Sequence, residues 1–271
     1  MSVTKQRNTD FARVRVFGSI GFAVALAVSG YVYDFIGMIA FVPILFLGNL
    51  LRLWLSIKLP KTEKRPVTSP DERLQDSSSG LYQMGVLVTI VGSSFIQASH
   101  AVVYTFGILL WTQQGISEAT GSLLIATGVV AEVVLMWKFK VVTRFLSARG
   151  CLIFAAVCGV LRWAVLATSP SLLITFIAQA LHSITFGLTY LATATFISRR
   201  VGDADAARGQ SLSATVMTAL MAVAMYVSGH YFDALGMNLY WIMAGLCALA
   251  AILILLSYKT SLIDLEQKSV N

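Results

Sequence analysis

The sequence predicts an all-α integral membrane protein with eight transmembrane helices. Three observations lead there. Of the 271 residues, 57% are hydrophobic and only 12% are charged, with a mean hydropathy of +0.77. A soluble domain carries about 25% charged residues, so this chain has too little polar surface to cover a particle of its size in water. The apolar residues gather into runs near the length of about 20 that a bilayer-crossing helix needs. Lysine and arginine then fall on alternate connections between those runs, as they do when one set of loops stays in the cytoplasm.

The runs are 16–33, 38–58, 84–111, 117–137, 150–168, 171–197, 210–231 and 238–258. Backbone N–H and C=O groups in hydrocarbon need partners within the chain, so each run is expected to be helical. The apolar–polar alternation of a membrane barrel strand is absent. The first run follows Arg13 and Arg15 and contains "AVALAVSG", which has the form of a cleaved leader. Seven further runs and a later copy of its closing motif argue that it is a retained span. The second run holds Arg52, about 9 Å from its cytoplasmic end by helix rise, close enough to snorkel to the headgroups. Next comes "PKTEKRPVTSPDERLQDSSSG" (60–80), which holds three of the five prolines and no apolar period. It reads as a solvated linker. The remaining six runs follow without such an interruption.

Orientation follows from the basic residues. Lys5, Arg7, Arg13 and Arg15 precede the first run, and Lys61, Lys64, Arg65 and Arg73 lie in the linker. Lys138, Lys140, Arg144 and Arg149 lie in 138–149, and Arg199, Arg200 and Arg208 in 198–209. The connections at 34–37, 112–116, 169–170 and 232–237 contain neither residue type. Both termini are therefore expected in the cytoplasm. These loops account for the net charge of +7, so the basic balance calls for no nucleic-acid partner.

Residues 29–37 read "SGYVYDFIG" and residues 228–236 read "SGHYFDALG". Each copy closes an outward-running span, the first and the seventh, so the repeat unit is six spans. Parallel six-span repeats are the two halves of major facilitator transporters. On that arithmetic the chain is a partial fold of this type, equivalent to helices 5–12 of twelve. Residues 1–58 would be the last two helices of the amino-terminal bundle and 59–83 the cytoplasmic central linker. Residues 84–271 would be the complete carboxy-terminal bundle and its cytoplasmic tail. Four amino-terminal helices would be the missing partner.

An ionisable side chain inside a span is costly and therefore a functional candidate. Away from the helix ends these are Arg52, His100, Glu132, Arg162 and His182. Ser93, Gln97, His100 and Tyr104 share one helical face, and Gln179, His182, Phe186 and Thr193 share another. Such stripes either line a polar cavity or seam helices together. Glu132 can hold a proton when desolvated, so it leads as the proton-coupling group, with His182 beside it. Arg162 cannot release its proton and suits a fixed countercharge or an anion anchor. Gln97, His100, Tyr104, Gln179 and Phe186 complete the expected substrate-binding set; Tyr104, Phe186 and Tyr190 are of a kind either to meet a ring or to pack in helix seams and against lipid. By helix rise Glu132 and Arg162 are about 13 Å apart along the membrane normal, so a direct ion pair would require tilt.

The stretches "RVRVFGSIGF", "QASHAVVYTFGILLW", "GVVAEVVLMW", "LRWAVL", "QALHSITFGLTYLA" and "ARGQSLSATV", in this order and spacing, resemble the 3-phenylpropionate permease-like family of major facilitator proteins. The resemblance runs from that family's fifth helix to its twelfth. It implies a proton-linked permease of the bacterial inner membrane, carrying a small organic solute such as an aromatic acid. Lactose-permease-type symporters are similar in placing an acid, an arginine and a histidine on helices eight, nine and ten, where Glu132, Arg162 and His182 fall. The 138–149 loop, with Arg144 and Arg149, resembles the basic cytoplasmic loop that gates this superfamily.

The residues leave open a sugar or nucleoside as the solute, and a nonfunctional transporter fragment as the identity of the chain. Enzymatic chemistry finds no support. The three histidines are scattered, and Cys151, Cys158 and Cys247 have no metal or disulfide spacing. There is no phosphate-binding glycine loop of the ATPase type. The expected partners are thus a small-molecule substrate, protons and the lipid bilayer, with no cofactor and no metal.

Overall fold

The computed structural model describes residues 80–270 and 35–58, and before them residues 17, 18, 21, 24, 25, 28 and 32. Most of the expected first span (16–33) and of the linker (59–83) lies outside the described residues. Those of 17–32 that are described are helical.

Seven helical stretches among the described residues are long and apolar enough to cross a membrane: Phe41–Lys58, Met84–Gln113, Glu118–Phe139, Ala148–Ala167, Leu172–Arg200, Asp205–His230 and Phe232–Tyr258. They coincide with the second to eighth expected runs. The helices overrun several expected ends because hydropathy marks where lipid stops, whereas backbone hydrogen bonding continues into the interface. The fourth expected run ends at 137, yet its helix continues to Val142. Most of the expected 138–149 loop is thereby helical, leaving a turn of five residues, 143–147.

The described residues divide into two compact units, one within 17–78 and one from 79 onward. The first contains helix α1 (Phe41–Lys58). Its apolar side chains, including Phe46, Leu47 and Trp54, are exposed, which suits a membrane-spanning helix.

The second unit contains α2 (Met84–Ala98), α3 (Ala101–Gln113), α4 (Glu118–Val142), α5 (Ala148–Ala167), α6 (Leu172–Ala180), a π-helical segment (Ser183–Leu188), α7 (Thr189–Arg200), α8 (Gly202–His230), the short α9 (Phe232–Leu235) and α10 (Leu239–Val270). Helix α10 packs along α2 and α5, α8 along α2 and α3, and α4 against α6 and the π segment. The core between them is built from Trp111, Leu124, Trp163, Leu166, Tyr240 and Met243 toward one end and from Ile96, Leu152, Leu188 and Ile254 beyond.

Helix α4 shows how sequence sets rotation in lipid. Gly121, Leu124, Gly128, Glu132 and Met136 are buried, while Leu123, Val130, Val134 and Trp137 are exposed. The two sets occupy opposite faces at helical spacing. The inner face carries small and ionisable residues, and the outer face large apolar ones, which is the arrangement a lipid solvent selects. Small residues bring the helices close. A Cβ on Gly128 would sit 3.0 Å from the His182 Cβ, and one on Gly92 would meet the Ile254 side chain at 2.8 Å.

Two conformational details match the repeated nonapeptide. Gly37 and Gly236, the last residue of each copy, both have positive φ (87° and 50°). Residues with a Cβ avoid this region. Each glycine leads into a 3-10 turn (Met38–Ala40 and Gly236–Asn238) and then the next apolar helix. Gly115 (φ 80°) ends α3 differently: Ile116 N–H donates to Trp111 O and Gly115 N–H to Thr112 O, a Schellman termination.

Candidate functional site

Three spans of the second unit converge on Arg162 of α5. None of its surface is exposed. Its Nη1 donates to Thr185 Oγ1 at 2.8 Å and lies 3.1 Å from His100 Nε2. Its Nη2 donates to Gln179 Oε1 at 3.0 Å. The guanidinium lies over the indole of Trp163, 4.2 Å from its centroid. Every one of these partners is neutral or able to be so, and among the described residues no carboxylate lies within ion-pair distance of Arg162. The guanidinium Nε and the Gln179 amide Nε2 are buried without a hydrogen-bond partner. The Gln179 orientation is dictated by its neighbour, because a reversed amide would turn NH2 against a group that only donates. Two donor positions are therefore left over at one buried cation.

The elements that hold these residues are irregular where they meet. The span Met84–Gln113 is interrupted at Ser99–His100. Ser99 Oγ donates to Ile96 O at 2.7 Å and accepts from Trp163 Nε1 at 2.9 Å, and Cys247 Sγ lies 3.3 Å away. The span Leu172–Arg200 passes through the π segment, where Thr185 Oγ1 lies 3.2 Å from Leu181 O. Interrupted and π-helical turns in membrane helices recur at binding sites, where freed backbone groups and side chains face a ligand. Here Arg162 ties both interruptions together, through His100 in one and Thr185 in the other.

The second group is Glu132 with His182. Glu132 Oε2 lies 3.5 Å from His182 Nε2, and both side chains are buried. Glycines permit this approach: a Cβ on Gly187 would stand 2.9 Å from Glu132 Cγ. The His182 ring stacks on Phe186 (5.1 Å, 12°) and meets His100 edge-on at 5.1 Å. The axial gap of about 13 Å inferred from helix rise between Glu132 and Arg162 is thus filled by a contiguous chain: Glu132, His182, His100, Arg162.

Gln97 donates through Nε2 to Phe186 O at 3.4 Å, and its Oε1 is buried without a partner. Tyr104 is 46% exposed, and its ring lies 5.6 Å from that of His100 and 6.4 Å from that of Phe186. It forms the open rim of the cluster. The structure therefore brings Gln97, His100, Tyr104, Glu132, Arg162, Gln179, His182 and Phe186 together. Thr185, Trp163 and Ser99 join them without having been singled out. The stripe of Gln179, His182 and Phe186 passes beside Thr185, but a threonine within a span commonly satisfies its own hydroxyl on the preceding turn, so its presence signals nothing.

Arg144 and Arg149 lie elsewhere. Arg144 is exposed in the turn between α4 and α5. Arg149 is a residue of α5, not of the expected loop, and it is buried. Its guanidinium lies between the rings of Phe196 (4.9 Å) and Tyr258 (4.8 Å). It is about 20 Å along α5 from Arg162 by helix rise.

Comparison with known proteins agrees with this architecture. A model of the MFS_1 like family matches residues 1–243. The protein named "Probable 3-phenylpropionic acid transporter" of Escherichia coli (strain K12) is 29% identical over 247 residues, covering 89% of this chain and 63% of that protein. The chain therefore spans less than two thirds of this relative's length. Multiple apolar spans, a polar cluster at interrupted helices and the match over most of the chain lead to one assignment: this multi-pass membrane protein belongs to the MFS_1 like family of the major facilitator superfamily and is similar to the 3-phenylpropionate permeases within it.

Proposed function

We propose that the chain forms the substrate- and proton-binding part of a secondary transporter that carries a small organic acid with protons across the bacterial inner membrane. The observation that carries this reading is Arg162: a fully buried guanidinium with neutral partners and an unpartnered Nε beside the unpartnered Gln179 Nε2. A buried cation without a counterion is costly, and a substrate carboxylate would supply the missing charge and accept from both donors. The rings of Tyr104, Phe186, His182 and His100 lie alongside, which favours an aromatic or otherwise apolar body on that acid, such as 3-phenylpropionate.

Glu132 and His182 are the proton-carrying pair in this scheme. A proton held between a carboxyl and an imidazole is exchanged when one conformation hydrates the pair and another buries it. In membrane terms, the eight spans correspond to helices 5–12 of the twelve-helix fold, with 84–271 forming the carboxy-terminal bundle and both termini in the cytoplasm. The basic loops support this orientation.

The test is binding to the 271-residue chain in lipid nanodiscs, followed by calorimetry. Saturable binding of 3-phenylpropionate is expected, with no binding of the neutral amide of the same acid. Arg162→Met should weaken the acid by about 10–100-fold, the worth of hydrogen bonds to a charged group. Equal binding of acid and amide, or an unchanged affinity in Arg162→Met, would refute the acid site.

A further inference from the structure

His100 sits at the interruption between α2 and α3 with none of its surface exposed. Its two ring nitrogens face opposite kinds of partner. Nδ1 lies 3.0 Å from Gln97 O and 3.2 Å from Ile96 O. Both are carbonyl oxygens, which only accept, so Nδ1 carries a proton. Nε2 lies 3.1 Å from Arg162 Nη1, which only donates, so Nε2 is a bare acceptor. Both sides require the same form of the ring: neutral, with its proton on Nδ1.

The surroundings hold it in that form. From α5 come Arg162 and, 5.2 Å away and edge-on, the ring of Trp163. From α6 and the π segment come the rings of His182 at 5.1 Å and Phe186 at 5.7 Å, with Thr185 Oγ1 3.1 Å from Nε2. From α3 comes Tyr104 at 5.6 Å. The one permanent charge in this set is the Arg162 cation. The carboxylate of Glu132 meets His182. A second proton on His100 would set an imidazolium N–H against a guanidinium N–H, with Thr185 Oγ1, already accepting from Arg162 Nη1, as the one acceptor they would share.

We propose that His100 is a positioning residue: a permanently neutral acceptor that holds Arg162 Nη1 at the acid site and ends the proton route at His182. This rests on the reading of Arg162 as the acid anchor. Of the two contiguous histidines, His182 exchanges protons with Glu132, while His100 aims the guanidinium. Protons are thereby kept off the residue that orients the anion site, so proton load and substrate grip can vary separately.

The test uses the full chain in nanodiscs, labelled with nitrogen-15 in its histidine rings. Of the three histidines, His100 is identified by the signals that vanish in His100→Gln. Nδ1 is expected to be protonated and Nε2 unprotonated throughout about pH 5–8, where a free imidazole titrates. A proton on Nε2, or titration of this ring within that window, would overturn the proposal.

Binding of 3-phenylpropionate gives a second readout. Glutamine offers an acceptor near the Nε2 position, so His100→Gln should keep more of the affinity than His100→Leu. His100→Leu should bind about 10-fold more weakly, having lost an acceptor for a charged donor. The pH midpoint of binding should be the same in wild type and His100→Gln. A moved midpoint, or equal losses in the two variants, would also overturn the proposal. No acid binding by wild type, with the Nδ1–H form intact, would refute the acid site while supporting the fixed neutral form of His100.

Discussion

Replacing Gly128 with alanine adds one methyl group at the place where α4 crosses α6. The new Cβ would lie 3.0 Å from His182 Cβ, 3.2 Å from Gln179 O and 3.3 Å from His182 Cγ. Ordinary carbon contacts sit at about 3.5–4.0 Å, so the helices must part by about half an ångström. None of the three opposing atoms is the far end of a flexible side chain, so the strain is not removed by a rotamer change. Overpacking of this kind costs about 1–3 kcal/mol. Against it stands the helix preference of alanine over glycine, about 1 kcal/mol.

Gly245 isolates that second contribution, because a Cβ there meets nothing within 4 Å and it lies within α10. Gly245→Ala should therefore raise the melting temperature slightly. Gly121→Ala, with its nearest neighbours at an ordinary 3.5 Å on the Ile108 side chain, should likewise raise it slightly. Gly128→Ala should fall below Gly245→Ala by the overpacking cost. That corresponds to about 2–10 °C for a protein of this size, read by thermal unfolding of the purified chain in one detergent. Glu132 is one turn further along the same face, 3.5 Å from His182, so the displacement should also widen that pair. Melting temperatures of Gly128→Ala and Gly245→Ala that agreed within error would refute the close helix contact.

Two further outcomes follow from the site and the loops. In membrane vesicles holding a complete, transport-competent form of the proposed transporter, Glu132→Gln mimics the protonated carboxyl and should abolish accumulation of the acid against a gradient. Exchange of preloaded acid should be left largely intact, because each pKa unit of difference between states is worth about 1.4 kcal/mol of coupling. Accumulation at the wild-type level would move the coupling role to His182. For topology, a cysteine placed at Gln114 should react with an impermeant maleimide applied from outside and one placed at Ser78 should not. The reverse pattern would invert the assigned orientation.

Some of this protein was legible in the residues alone because lipid is an unforgiving solvent. Long apolar runs divided by short polar connections reveal the spans, since each must satisfy its own backbone. Glu132, Arg162 and His182 stand out because ionisable groups inside spans are rare and costly, and the ordered stretches from "RVRVFGSIGF" to "ARGQSLSATV" carry the family. The tertiary structure decided how far those residues are from one another. Helix rise separates Glu132 from Arg162, yet His182 and His100 bridge them in contact. It also decided that Thr185 and Ser99 belong to the cluster, that Arg149 is held between two rings within a helix, and that two spans break at the site. Hydropathy records which side of a helix avoids lipid, averaged over a turn. The axial offset and rotation between neighbours depend instead on contacts between residues far apart in the chain, such as Gly128 on His182, Gly159 on Cys247 and Gly92 on Ile254. Those contacts come into being only when the helices pack, so no local pattern encodes them.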